Sequence, residues 1–138
     1  MKTRAELIEI ARAHAEAEGR NDLATTLATL EGEPVYELQP VGRVMHGRAA
    51  ARAYYEHFFA HFRPLVAGFE LRGEWVTDEG VGQEYAISLR GADGALERHH
   101  VIGILTFGEN ALSGERVYAS EVLLRRMLGP AWDLTEPL

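Results

Sequence analysis

The chain has 138 residues, with 14 basic against 21 acidic side chains and a formal net charge of −7. This length suits one domain with its own core, and a hydrophobic content of 46% is that of a globular protein rather than a disordered one. The scattered basic residues argue against nucleic acid as a partner, and the absence of cysteine excludes disulfides and cysteine nucleophiles.

The hydropathy pattern gives no signal for a membrane or for export. The first residues lead directly into an amphipathic pattern, and no apolar stretch reaches the length of a transmembrane helix. We therefore expect no membrane partner and a cytoplasmic location.

The N-terminal part of the chain predicts two helices and a short strand. Thr3 and Glu6 have the spacing of a capping box, and apolar residues then recur at helical period up to Gly19. Asp22 is placed to cap a short second helix, which ends at a Gly-Glu-Pro break. The alternation over 35–38 predicts a brief strand.

The rest of the chain predicts one long amphipathic helix followed by strands. The helix runs from Gly47 to about Leu65, with Pro64 near its end. Turn clusters separate four predicted antiparallel strands, at 68–76, 81–89, 96–107 and 112 to about 124, before an irregular tail from about residue 129. Helices followed by strands indicate one α+β domain over residues 1–138.

Two stretches carry a resemblance to a known family: Tyr36–Pro40 with Val44–Arg48 and Ala53–Tyr55, and Gly114–Tyr118 with Leu123-Leu124 and Leu128-Gly129. With this order of elements, the chain resembles the nuclear transport factor 2-like superfamily, in particular its SnoaL-like polyketide cyclase branch. The resemblance implies a cone-shaped α+β barrel, in which a curved antiparallel sheet wraps around the N-terminal helices and encloses an apolar pocket. We expect no cofactor.

The chain departs from the family at one important position. In the SnoaL-like pattern an Asp closely follows the aromatic residue of the last strand and serves as the acid/base, whereas here Tyr118 and Ala119 lead to Ser120. A serine hydroxyl does not titrate near neutral pH. The resemblance also implies that the Ser120 face of the sheet looks into the pocket and that the outer face forms a homodimer.

Turn lengths predict which side chains share the pocket face. Two-residue turns at Asp93-Gly94 and at Glu109-Asn110 would pair His99 with Ser88 on one side and with Ser120 on the other. The predicted pocket face then carries Glu84, Ser88, His99, Arg116, Tyr118 and Ser120. The opposite, more apolar face would carry Tyr85, Ile87, Leu89, His100, Ile102, Ile104, Val117 and Leu123.

His99 and Glu84 are the predicted catalytic residues. An imidazole titrates near neutral pH, and Glu84 could orient the ring or carry the proton itself. Tyr118 and Ser120 would hydrogen-bond a carbonyl or enolate oxygen. The predicted substrate-binding residues are Tyr36, Tyr54, Trp75, Arg116, Tyr118 and Ser120. A Glu and a His on one sheet face can equally form a structural pair.

Three functions stay open on the sequence alone. The first is a SnoaL-like enzyme that performs cofactor-independent acid/base chemistry, such as isomerisation, cyclisation or dehydration, on a small apolar and cyclic molecule. The second is a binding module that holds such a ligand unchanged, and the third is a dimeric scaffold with a filled cavity. His57 and His61 have a spacing that can bind a metal, but no third ligand is evident, so we expect no metal site.

Overall fold

The computed structural model describes all 138 residues, with four α-helices and seven strands. The helices are α1 (Arg4–Gly19), α2 (Leu23–Ala28), α3 (Arg48–His57) and α4 (Glu121–Leu128). The strands are β1 (Leu30–Gln39), β2 (Arg43–His46), β3 (Val66–Val76), β4 (Gly80–Arg90), β5 (Leu96–Phe107), β6 (Leu112–Tyr118) and β7 (Glu136–Pro137). A π-helical turn (Phe58–Phe62) and a 3₁₀ turn (Arg63–Leu65) extend α3.

The strands form one curved sheet in the order β3-β4-β5-β6-β1-β2-β7. All neighbouring strands are antiparallel except β1 and β6, which are parallel. The sheet does not close into a barrel, because its two edge strands β3 and β7 do not pair with each other. The predicted α+β class, with a curved sheet around helices, is confirmed.

The helix starts follow from local hydrogen bonding, as the sequence predicts. The Thr3 hydroxyl accepts a hydrogen bond from the Glu6 N–H at 3.2 Å, and the Asp22 carboxylate accepts one from the Thr25 N–H at 3.1 Å. Each cap satisfies a backbone donor that the first helical turn leaves without a partner. No helix combines the length and the apolarity that crossing a bilayer requires.

The C-terminal part of the chain differs from the prediction. The predicted strand to about Leu124 ends at Tyr118, because Ser120 caps a new helix by accepting a hydrogen bond from the Leu123 N–H at 3.2 Å. The apolar residues of α4 recur at helical spacing and are buried: Leu123, Leu124, Met127 and Leu128. The tail is also ordered, since a 3₁₀ turn (Gly129–Leu134) leads into β7, which pairs with β2.

The hairpin between β4 and β5 has a three-residue loop rather than the predicted two-residue turn. The Gly91 N–H donates to the Ala95 carbonyl at 2.8 Å, and Gly94 has a φ of +82°, a left-handed conformation that favours glycine. His99 therefore pairs with Ile87, whereas the prediction paired it with Ser88. Because side chains alternate along a strand, this slip of one residue exchanges the two faces of β4.

The hairpin between β5 and β6 has the predicted tip but a bulge beside it. The Gly108 N–H donates to the Ala111 carbonyl at 2.8 Å, as a two-residue turn requires. The register then shifts by one residue after Phe107, so Ile102 instead of Val101 pairs with Tyr118. The prediction that the polar face of the sheet lines the pocket is therefore wrong.

The face that looks onto α1 is the apolar one. Tyr85, Ile87 and Leu89 of β4 point to the concave side, where the prediction had placed Glu84 and Ser88. This outcome has a plain physical reason, since burying the apolar alternation of β4 removes more hydrocarbon from water than burying its polar alternation.

Candidate functional site

A cavity of about 530 Å³ lies between α1 and the concave face of the sheet. Its mouth is marked by exposed lining residues of β3, among them Phe69 and Leu71, whose surfaces are 59% and 48% exposed. The volume falls within the range of pockets that hold drug-sized ligands. The aromatic side chains therefore leave the interior open, whereas the hypothesis of a filled scaffold requires them to fill it.

The wall of the cavity is mostly apolar. The π-helical turn contributes Phe58 and Phe62, whose rings stack on each other with centroids 5.2 Å apart. The alternate residues of β4 and β5 that face inward add further apolar surface: Val81, Tyr85, Ile87, Val101 and Leu105. Such a wall suits a ligand with a hydrocarbon body.

Glu115 of β6 places a carboxyl group on this apolar wall. Its side chain crosses Gly103 of β5, where a Cβ atom would lie 2.8 Å from the Glu115 Oε1, so glycine leaves room for the carboxyl. Glu115 makes no side-chain hydrogen bond within the protein. Burial raises the pKa of Glu115 to about 8, and the negative charge of Glu18 adds to the shift while His14 opposes it. The protonated form of Glu115 is therefore favoured at neutral pH.

His14 lies beside Glu115, fully buried on the inner side of α1. Its Nδ1 is 2.7 Å from the Thr29 hydroxyl, and its Nε2 is 3.2 Å from the Glu18 Oε1 and 3.1 Å from the Tyr55 hydroxyl. Burial disfavours the charged ring, but the charge and the hydrogen bond of Glu18 are the main causes that outweigh burial, so the pKa of His14 is raised.

Two tyrosines extend the network away from the cavity. The Tyr55 hydroxyl lies 2.7 Å from the Tyr36 hydroxyl, and both side chains are buried. Burial raises the pKa of Tyr36 and of Tyr55 well above the usual value, so both remain neutral phenols.

The ring nitrogens of His14 and the carboxyl oxygens of Glu18 and Glu115 include three atoms within 4.8 Å of one another. Groups this close can bind a metal ion. Both ring nitrogens of His14 already hydrogen-bond to protein groups, however. We therefore interpret the cluster as a network that shares protons.

The structure does not bring the two predicted catalytic residues together. Glu84 faces the outer side of the sheet, where its carboxylate lies 3.3 Å from the Arg72 Nε. His99 is on the inner side but beyond the cavity, with its Nε2 3.1 Å from a Glu97 oxygen. The one-residue slip in the β4–β5 hairpin accounts for their separation.

The predicted substrate-binding residues lie elsewhere as well. Tyr36 and Tyr54 are core residues, and Ser120 is used as the cap of α4. Three others are on the outer face of the sheet: Trp75, Arg116 and Tyr118. None of the eight residues predicted for the site lines the cavity, and their functional roles stay predictions.

The cluster at the cavity was not predicted from the sequence, although the sequence contains two signals for it. His14 falls on the apolar stripe of α1, a position where a histidine needs buried partners. Glu115 lies in the Gly-Glu-Arg-Val-Tyr motif of the last strand, and it faces inward once the bulge beside the β5–β6 turn is included. Glu18, one helical turn after His14, completes the set.

Comparison with known proteins identifies the fold of the chain. No protein-family model and no curated protein matches the chain. Among solved structures, an NTF-2 like protein of unknown function from Burkholderia xenovorans LB400 is similar over 84% of both chains, with 22% identity and a TM-score of 0.65. The chain has an NTF2-like fold.

Other solved structures that are similar to this chain differ widely in origin. A de novo designed protein with a curved β-sheet is similar over 96% of this chain and 99% of its own, with 11% identity and a TM-score of 0.69. A "Putative Isomerase" from Bacillus subtilis is similar over 94% and 96%, with 15% identity and a TM-score of 0.65. Similarity at these identities establishes the fold alone, and the SnoaL-like branch stays a prediction.

Proposed function

We propose that this chain is an enzyme that performs acid/base chemistry on a small apolar molecule, with Glu115 as the group that gives and takes the proton. The observation that carries the proposal is a carboxyl group without a hydrogen-bonding partner on the apolar wall of a 530 Å³ cavity. Burial raises the pKa of Glu115 to about 8, close to the pH at which a general acid or base works best in a cell.

A protonated carboxyl in an apolar pocket has a definite chemical use. It donates a strong hydrogen bond, or a proton, to a carbonyl or ether oxygen that becomes negative during the reaction. Isomerisation, cyclisation and dehydration of a ketone or hydroxyketone all pass through such a developing oxyanion. The substrate class we propose is therefore a small, cyclic and mainly hydrocarbon molecule with one oxygen function.

The comparison with solved structures supports this proposal only by analogy of fold. One protein with the same architecture is named as an isomerase candidate, and the NTF2-like arrangement is compatible with many activities. A SnoaL-like activity is part of the proposal, with Glu115 taking the role of the acid/base that Ser120 does not supply.

The test is a screen for ligands followed by a search for turnover. Thermal shift against cyclic ketones, polyketide-like aromatics, steroids and epoxides should find molecules that raise the Tm, and chromatography should find a converted one. Glu115→Gln keeps the shape of the side chain and removes the titrating proton. We expect this variant to keep ligand binding and to lose roughly 10² to 10⁴-fold in kcat.

A matched control is Glu37→Gln, which changes a glutamate of β1 that points away from the helices and pairs in register with Arg116. It should retain full turnover. Loss of turnover in His99→Ala, with Glu115→Gln unaffected, would contradict the proposal and favour the catalytic residues predicted from the sequence. Ligands that bind but are never converted would favour the binding module.

A further inference from the structure

We propose that Glu18 is the base that works opposite Glu115, and that His14 is the positioning residue that keeps Glu18 in its carboxylate form. This inference rests on the proposed function and deepens it, because it assigns different roles to the two carboxyl groups of one cavity. Both Glu18 and Glu115 line the cavity, and the Glu18 side chain is 29% exposed.

The hydrogen bonds around Thr29 fix the proton on His14 Nδ1. The Thr29 hydroxyl lies 2.6 Å from the Thr26 carbonyl oxygen, which can only accept, so the hydroxyl proton is used there. The Thr29 oxygen then accepts a hydrogen bond from His14 Nδ1–H, 2.7 Å away. Nδ1 is therefore protonated whatever the charge of the ring.

The other ring nitrogen faces a carboxylate. His14 Nε2 lies 3.2 Å from the Glu18 Oε1 and 3.1 Å from the Tyr55 hydroxyl, which can donate its own proton to the Tyr36 hydroxyl 2.7 Å away. A lone pair on the nitrogen would repel the Glu18 oxygen, so we infer that Nε2 carries a proton. With Nδ1 already protonated, a proton on Nε2 makes the ring an imidazolium that donates to Glu18. The raised pKa of His14 agrees with this form.

The charges around His14 give the two carboxyl groups different protonation states. The groups that face the ring are Glu18 from α1, Glu115 from β6, Tyr55 from α3 and the Thr29 hydroxyl after α2, with Tyr36 of β1 behind Tyr55. Of these, only the two glutamates can be negative at neutral pH. One imidazolium compensates one carboxylate, and the hydrogen bond from His14 directs that compensation to Glu18. Glu115, which has no such bond, keeps its proton.

Two carboxyls in different protonation states form an acid and a base in one cavity. Glu18 removes a proton from the carbon beside a carbonyl, and the C–H electron pair forms the double bond of an enol while the Glu115 proton passes to the carbonyl oxygen. Glu18 then returns its proton to a carbon of the enol, and Glu115 recovers a proton from the enol hydroxyl. The step needs no oxidant, and oxygens within 4.8 Å of each other can reach neighbouring atoms of one ligand.

The first measurement is ¹⁵N NMR of the histidine rings in the full chain, without ligand. We expect both nitrogens of His14 to be protonated at pH 7. Glu18→Gln should lower the midpoint of the His14 titration by about one pH unit or more, because the ring loses its carboxylate partner. The control Glu9→Gln changes an exposed glutamate of α1 that pairs with Arg12, and it should leave the midpoint unchanged.

The second measurement uses a substrate found in the ligand screen. Glu18→Gln should lower kcat about 100-fold or more with little change in KM, and His14→Gln should lower kcat and move the acidic limb of the pH–rate profile to higher pH. Restoring a positive charge with His14→Lys should move that limb back. Because Glu18 is partly exposed, the Glu18→Gln variant keeps the fold if the His14 variants do not.

The outcomes separate this inference from the proposed function. A neutral His14 ring at pH 7, or a titration midpoint unaffected by Glu18→Gln, would overturn the inference. Loss of turnover in Glu115→Gln with full turnover in Glu18→Gln would also overturn it, while leaving the proposed function intact. Full turnover in both variants would overturn the proposed function and the inference together.

Discussion

Ionisation of Glu115 lowers the stability of the folded state, and this effect predicts how a change at this one residue alters the pH dependence of Tm. The pKa of Glu115 is about 8 in the folded chain against 4.5 for an ordinary glutamate, so the folded state binds more protons between these values. Stability contributed by this group is therefore complete below pH 4.5 and falls as the pH rises to about 8, above which the loss is complete. We expect Glu115→Gln to reduce the decline of Tm between pH 5 and pH 9, as measured by calorimetry.

His14 contributes in the same direction, because its pKa is also raised and its stabilisation is lost as the pH rises through that value. The variant should therefore show a smaller slope rather than none. The lowered pKa values of Glu70 and Glu97, caused mainly by hydrogen bonds from Arg98 and His99, act at lower pH and are common to both proteins. Parallel Tm curves for the wild type and Glu115→Gln would contradict the assignment.

At the level of the element, Ser120 separates a strand from a helix. Its hydroxyl caps α4, whose apolar residues pack in the core. Ser120→Ala should lower the free energy of unfolding by about 1 kcal/mol, because a backbone donor of the first turn loses its partner. Denaturant unfolding measures the loss, with Ser120→Asp as a variant that retains a cap. Ligand affinity should be unchanged, and a selective loss of affinity would instead support the binding role predicted from the sequence.

The elements were more predictable than the site, for a reason that the hairpins make clear. Helix caps at Thr3 and Asp22 and the apolar period of α1 are local signals, and they predict α1 and the start of α2 to within a residue. The end of α2 is earlier than predicted, because the helix stops at Ala28 and β1 begins at Leu30, before the Gly-Glu-Pro break. The loop before β5 has one more residue than its Asp-Gly pair suggests, and β6 has a bulge beside its turn. Neither feature moves a strand boundary by much, yet each one exchanges the faces of the residues beyond it.

The cluster at the cavity depends on contacts between distant parts of the chain, which no local pattern reveals. His14, Tyr55 and Glu115 come from α1, α3 and β6, and they meet only because the sheet curves around the helices. Helix α4 was missed for a simpler reason. Its spacing of apolar residues at 123, 124, 127 and 128 is helical, but these residues directly follow the alternation of β6, so the pattern predicts a longer strand.

At the level of the whole molecule, the outer face of the sheet carries an apolar patch of Trp75, Ile102, Ile104 and Tyr118, with Glu84 and Arg116 beside the isoleucines. Trp75 covers Gly82, which pairs with Ile104, and Ile102 pairs with Tyr118. We propose that a second copy of the chain packs on this patch. Ile104→Glu should then shift the protein from dimer to monomer in sedimentation velocity, because a charge would be buried in the contact.

The control for this experiment is Glu9→Gln, which changes an exposed glutamate of α1 that pairs with Arg12, on the helix side of the sheet rather than on its outer face. It should leave the sedimentation coefficient unchanged. A wild-type chain that sediments as a monomer at micromolar concentration would contradict the proposed dimer.

The mouth of the cavity lies along β3, which is an edge strand and pairs only with β4. Opening β3 locally breaks hydrogen bonds to one neighbour, whereas separating β4 from β5 would disturb the middle of the sheet. The floor with Glu115 belongs to β6, which β4 and β5 separate from β3. Opening of β3 to admit a bulky molecule therefore leaves the proton-transfer groups on α1 and β6 in place. Sequence changes in β3 can broaden or narrow the range of accepted molecules while the chemistry stays the same.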